Sequence, residues 1–260
     1  MRAGARLANH GRMTEILQSD IPHDVTAPKP LPGIAPLEMA EWLQVDEAFA
    51  AQMAERERLL AERRGDVLAV TEAGQGAAAE LLEVVLDWLA GNAPAYDVSA
   101  TQVLRPDGVT VTVDRDDPMG TLGHLVQEDL CILEKQGEEH VLTAAVLCFP
   151  ASWRLADKIG RPLTTIHVPV PSYDEGIARR VQRLFDGVRE GRPLWRFNVL
   201  SYAAADLYQP VPRQHQSALA GGPELPFLRS ERQSILRLPK TQACVFSIHT
   251  YVVRKPAQTA

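Results

Sequence analysis

The chain has 260 residues, with 27 Lys and Arg against 33 Asp and Glu, a net charge of −6, and 45% hydrophobic residues. That balance lies in the globular range, excludes a disordered chain, and argues against nucleic acid as main partner, since phosphate binding needs clustered Lys and Arg. No run approaches the roughly 18 apolar residues of a membrane span, and Met1–Met13 carries Arg2, Arg6 and Arg12 without an apolar core, unlike a secretory signal.

Residues 1–36 are polar, with Pro28, Pro30, Pro32 and Pro36 near their end, and read as a tail and lead-in strap rather than a packed element. From Asp46 the pattern turns helical, with Phe49, Met53 and Leu60 at helical intervals and Gly65 as a stop. A second helix is predicted from about Gln75 to Ala90, its apolar side built by Leu81, Leu82, Val85, Trp88 and Leu89, with Gly91-Asn92 as its left-handed exit. Pro106-Asp107-Gly108 joins Thr101–Leu104 and Val109–Val113 as a hairpin.

His140–Phe149 is a nearly continuous apolar run that reads as a buried strand, and Ala151–Gly160 as a short helix holding Trp153. Farther on, Pro169 and Pro171 stiffen the chain around Val170. Ser172-Tyr173-Asp174-Glu175 then forms a capping box for a helix with Ile177, Val181, Leu184, Phe185 and Val188 on one face and Arg179, Arg180 and Arg183 on another. Strands are expected at Leu194–Tyr202 and Ala243–Val253, separated by a proline-rich loop at Gln209–Pro226. Strands and helices that do not alternate indicate α+β, an antiparallel sheet with flanking helices. The expected organisation is one domain over 37–254 between the strap (1–36) and a short C-terminal tail (255–260).

Cys131, Cys148 and Cys244 lie far apart and make no C-x-x-C pair. They read as buried reduced thiols in a cytoplasmic protein. No H-E-x-x-H, G-x-S-x-G, G-x-G-x-x-G or P-loop is present, which weakens zinc hydrolase, serine hydrolase and nucleotide-binding readings. His167 is held by the proline-braced segment just before a capped helix. A histidine fixed that way suits an axial metal ligand, although a lone histidine beside a strand is commonly structural. Haem b fits a chain without other motifs, since it needs one axial ligand, an apolar pocket and cations for its propionates.

Several separated motifs carry a resemblance. They are Val126-Gln127-Glu128-Asp129-Leu130-Cys131, Phe149-Pro150 with Trp153, Gly160-Arg161-Pro162-Leu163 and Ile166-His167-Val168-Pro169-Val170-Pro171. Arg192-Pro193-Leu194-Trp195-Arg196-Phe197-Asn198, Glu231-Arg232-Gln233, Leu236-Arg237-Leu238-Pro239 and Ile248-His249-Thr250-Tyr251 follow. In that order and spacing the chain, from about Leu37 to Val253, resembles the alpha subunit of haem-dependent oxidative N-demethylases.

The resemblance implies a PAS-like fold binding haem b. It also implies O2-dependent removal of a methyl group from a small alkylamine such as dimethylamine, with release of formaldehyde. Electrons would come from a separate NADPH-dependent flavin and iron–sulfur reductase subunit. Carried onto this sequence, His167 is the expected iron ligand. Arg161, Arg196 and Arg232 are expected to contact propionates, with surface salt bridges as the alternative for each. Asn198 joins them in the cofactor site, and Glu231 and Tyr173 are the candidate catalytic side chains. Glu231 would meet a protonated amine, or else a neighbouring arginine. Two positions depart from the family pattern: Val199, where relatives often carry tryptophan, and His249, where they often carry Arg or Lys. His249 is also a rival iron ligand. A non-catalytic haem-binding PAS-like sensor and a haem-free ligand-binding module remain alternative readings.

Overall fold

The computed structural model describes residues 15–26, 33–166, 175–211 and 225–256. Its elements run β1 (Ala35–Pro36), α1 (Phe49–Glu62), α2 (Arg64–Val67), β2 (Leu68–Val70), α3 (Gln75–Asn92), β3 (Asp97–Val98), β4 (Gln102–Leu104) and β5 (Thr110–Thr112). They continue with α4 (Pro118–Leu125), β6 (Asp129–Gln136), β7 (Glu139–Val146), α5 (Leu163–Ile166), α6 (Glu175–Gly187), β8 (Leu194–Tyr202), β9 (Phe227–Arg237) and β10 (Cys244–Arg254). Seven strands form one antiparallel sheet in the order β1-β8-β9-β10-β6-β7-β2, and β3-β4-β5 make a small second sheet. The α+β expectation and the single domain are both borne out.

Because strand side chains alternate, the sheet presents two faces. On the first, Leu130, Ile132, Ala144, Val146, Leu236 and Val245 join Met53 of α1, Leu81 and Val85 of α3 and Leu122 of α4 in one core. Close approach of α4 depends on Gly123, where a Cβ would come within 2.9 Å of Leu60 Cδ1 and Val146 Cγ2. On the second face, Cys131, Leu133, Leu142, Ile235, Cys244 and Ile248 pack with Leu163 and Ile166 of α5 and Phe185 of α6. Burying side chains of this size contributes roughly 1.5–3 kcal/mol each. Two carboxylates tie the layers together. Asp129 accepts hydrogen bonds from Arg56 Nη1 (2.7 Å), the Cys148 amide (2.7 Å) and the Phe149 amide (2.8 Å). Glu80 of α3 accepts from the Lys240 (2.6 Å) and Thr241 (2.7 Å) amides, pinning the β9–β10 turn.

Three expectations are corrected, and one long strand was not foreseen. The strap is packed where described: Ile21 is buried, and Gln18 exchanges backbone and side-chain hydrogen bonds with Thr250 and Val252 of β10. The helix α3 runs through Gly91 and Asn92, neither of them left-handed, and its cap is Ala93. Ala151–Gly160 holds only a 3-10 turn at Leu155–Asp157, because Ser152 takes a positive φ and the chain bridges to Gln209 instead. The joint eleven-residue longest strand, β9, has no counterpart among the predicted elements. Its alternation is hidden by charged residues that are buried on both faces. The loop Gln209–Pro226 and the capping Ser172 lie largely or wholly outside the described residues, although α6 begins at Glu175 and Gly191 beyond it is left-handed at φ 68°.

Candidate functional site

The register of β8 and β9 sets Asn198 opposite Glu231, Arg196 opposite Gln233 and Leu194 opposite Ile235, all on the second face. Glu231 Oε2 accepts from Asn198 Nδ2 at 2.9 Å and Gln233 Nε2 at 3.1 Å. The Glu231 amide in turn donates to Asn198 Oδ1 at 3.1 Å. Its other oxygen, Oε1, has Arg229 Nη2 at 3.5 Å, a loose contact, because that guanidinium is drawn off by the carbonyls of Phe149 (2.5 Å) and Leu207 (3.0 Å). The carboxylate is therefore fixed by two amides while one oxygen keeps acceptor capacity.

Two cations share this face. Burial lowers the pKa of Arg196 against the opposing pull of Glu231. Its Nε is buried without a hydrogen-bond partner. Lys158 rests its ammonium 4.2 Å from the centre of the Trp153 ring. Burial lowers its pKa as well, against the opposing charges of Glu231 and Asp157. Neither Arg196 nor Lys158 has a side-chain hydrogen bond or ion pair among the described residues. Both side chains are partly buried, and a partly dehydrated cation without an anion is held at a cost that an anionic ligand recovers. The thiols on this face are inert: burial pushes Cys131 up to about 12 and Cys244 up to about 11.

The opposite face is closed chemistry. His249 Nε2 lies 3.1 Å from Asp46 Oδ2, and Nδ1 lies 3.1 Å from Glu128 Oε1. Burial opposes a charged ring, but the hydrogen bonds and charges of both carboxylates prevail and raise its pKa to about 9. Asp46 is held near about 2, where burial is outweighed by the hydrogen bond and charge of His249. A protonated imidazole with both nitrogens donating has no lone pair for iron, so the structure removes His249 as a rival ligand. Arg232 points to this same face. It donates to the carbonyls of Trp42 (3.0 Å) and Glu41 (2.6 Å) and lies over the Trp195 ring. His23 from the strap sits against Phe197, Tyr251 and Trp195, held below its ordinary pKa by burial and then by the charge of Arg232.

Of the residues singled out from sequence, Glu231, Asn198 and Arg196 come together. Arg232 is separated from them by the thickness of the sheet. Arg161 is exposed just ahead of α5, its carbonyl accepting from the Leu142 amide. His167 and Tyr173 lie outside the described residues. The elements on either side of them, α5 ending at Ile166 and α6 beginning at Glu175, both pack on the second face, over the apolar residues of β6 and β7. Sequence reasoning missed Gln233, Arg229 and the Lys158–Trp153 pair. Arg229 and Gln233 lay in the unrecognised strand, where the neighbouring R-x-E-R-Q was the available signal. Lys158 has no local signal beyond its spacing from Trp153.

Fold and site define an α+β domain whose sheet offers one sealed face and one face of desolvated cations around an anchored carboxylate. The family described as haem-dependent oxidative N-demethylase, alpha subunit-like, matches residues 33–256. The chain belongs to this family. Among the described residues no helix is long and apolar enough to cross a membrane.

The residues present fit the carboxylate end of the family's cofactor. Haem carries two carboxylates, and Arg196 and Lys158 are two cations that lack an anion. Apolar contact is available from Ile248, Phe246 and Cys131 on the same face.

Proposed function

We propose that this chain binds haem b on the second face of its sheet and catalyses oxidative N-demethylation of a small alkylamine. The overall change takes one O2, two electrons and two protons. One oxygen atom leaves in formaldehyde with the former methyl carbon, and the other leaves as water. Bound haem supplies the reducible iron that activates O2. The electrons come from a separate flavin and iron–sulfur reductase fed by NADPH, since this chain carries no nucleotide fingerprint.

In this reading His167, which follows Ile166 in the sequence, would hold the haem iron. Arg196 and Lys158 neutralise the propionates. Glu231 Oε1 accepts an N–H from the protonated amine, and Asn198 and Gln233 hold the carboxylate so that little ordering is left for binding. Tyr173, on the same segment as His167, adds a hydroxyl to the pocket. The observation that carries the proposal is the coincidence of two unpaired, desolvated cations with an anchored carboxylate on the face that also anchors both ends of the His167 segment.

The test is an optical spectrum of the purified protein, oxidised and reduced. A Soret band is expected, with its loss in His167→Ala at unchanged circular dichroism. Dimethylamine should perturb the band, and formaldehyde should appear once a reductase is supplied. Haem bound in full amount to His167→Ala with an unaltered spectrum would overturn the ligand assignment. A spectrum that no amine perturbs would remove the demethylase reading.

A further inference from the structure

Charge along this chain is not evenly spread. Residues 154–196 hold nine Lys and Arg against five Asp and Glu, a local balance of +4, and the remainder holds 18 against 28, or −10. The basic segment supplies the layer that covers the second face of the sheet. Within it, α6 buries Phe185 and partly buries Val181 and Leu184. Its outer surface presents Arg180 and Arg183, three residues apart and so on neighbouring positions of one side. Arg154, Arg161, Arg189 and Arg192 are exposed on the same layer.

Pairing separates these arginines from others on the surface. On the far side, Arg58 is bridged to Glu55 and Glu62, Arg64 to Asp117 and Arg115 to Glu83. Arg154, Arg161, Arg180, Arg183, Arg189 and Arg192 have no salt bridge among the described residues. The exposed carboxylates of this layer, Asp157, Asp186 and Glu190, are fewer than its exposed guanidinium groups, and Asp186 is bridged to Lys135, so the layer keeps a local positive potential on an otherwise acidic molecule. Such a potential steers a protein of opposite charge and fixes its orientation.

We propose that the outer face of α6 is the docking surface for an acidic electron-donor protein. The inference rests on the redox reading above and adds where the donor binds. The face lies on the elements that flank the His167 segment, so a partner seated there is brought to the side of the sheet that holds the proposed cofactor. A nucleic acid or an anionic membrane is a poorer match, because an extended polyanion would also meet the rest of the chain, whose sequence balance is −10. A compact acidic protein can limit its contact to the patch.

The experiment measures binding of the full-length chain to an immobilised plant-type [2Fe–2S] ferredoxin, used as the acidic probe, at low and at moderate salt. Wild type is expected to bind and to weaken steeply with salt. The double variant Arg180→Glu with Arg183→Glu is expected to lose at least about tenfold in affinity and most of the salt dependence. The conservative Arg180→Lys with Arg183→Lys is expected to retain binding. A control reversal on the far side, Arg63→Glu with Arg115→Glu, is expected to change binding less than about threefold. Circular dichroism checks that α6 is retained. Absent binding by wild type, equal losses in the control, or an unaffected α6 reversal would overturn the proposal. So would DNA or phosphatidylserine vesicles bound as tightly as the ferredoxin with the same dependence on Arg180 and Arg183. Haem content is read separately from the Soret band, so failure of the cofactor reading is seen independently of failure of the docking surface.

Discussion

Asn198 and Glu231 face each other across β8 and β9 and exchange two hydrogen bonds, side chain to side chain at 2.9 Å and backbone amide to side chain at 3.1 Å. A polar residue that orients a carboxylate this way restricts both its rotamer and its lone pairs. Glu231→Gln is expected to abolish the spectral response to dimethylamine while haem stays bound. It should cost about 1–3 kcal/mol of stability, because Arg229 loses its nearby negative charge. Titration of the Soret band with amine, alongside urea unfolding, measures both. An unchanged amine response would exclude Glu231 from the substrate site.

Arg196 carries the opposite expectation for the empty protein. In the absence of an anion its guanidinium is desolvated with an unsatisfied Nε. Arg196→Met is expected to leave haem-free protein equally stable, or more stable by about 1 kcal/mol, since hydrophobic replacement of a buried charge is commonly neutral or better. Haem retention should weaken by about tenfold, the equivalent of about 1.4 kcal/mol. Apomyoglobin transfer rates and thermal melts of the haem-free form read the two effects. Destabilisation of the haem-free form would show that Arg196 is structural.

His249 sets a pH window. Its folded pKa of about 9 lies above the ordinary 6.5, so the stabilisation is complete below about 6.5 and is lost as pH rises through about 9. Asp46, held near about 2 against an ordinary 3.8, contributes above 3.8 and loses its contribution as pH falls toward 2. Unfolding free energy is expected to be flat between about pH 4 and 6.5 and to fall by about 2–3 kcal/mol toward pH 9. In His249→Gln the alkaline decline should disappear, which urea unfolding at pH 6 and pH 9 will check.

Asp129 and Arg56 form a salt bridge that is almost fully buried, with the carboxylate also accepting from two backbone amides. Asp129→Asn keeps the shape and removes the charge. It is expected to cost about 3–5 kcal/mol, because Arg56 would be left as an uncompensated buried cation. The cost should appear as a lower urea midpoint without a change in slope. A loss below 1 kcal/mol would show that Arg56 finds another partner.

Much of the fold could be read locally. The helix α3 and the strand Leu194–Tyr202 follow from periodicity, and the Pro106-Asp107-Gly108 turn follows from residue chemistry, with Gly108 left-handed at φ 83°. The strand β9 could not be read this way. In F-L-R-S-E-R-Q-S-I-L-R the rule that polar residues face water fails on both sides. Arg229, Glu231, Arg232 and Gln233 are all buried because their partners arrive from Phe149, Asn198 and Trp42, far away in sequence.

The site divides along the same line. The family resemblance selected Glu231, Asn198 and Arg196, and it drew attention to Arg232 and His249 as well. It had no means of sorting them, since neighbouring residues on a strand differ by one pleat. The amino-acid sequence by itself determined the α+β class, about half of the elements and the family. Only the tertiary structure decided which face each polar residue joins, because side chains alternate across a sheet while charge pairing depends on residues brought together from distant elements. That register put Glu231 among open cations and closed His249 between two carboxylates.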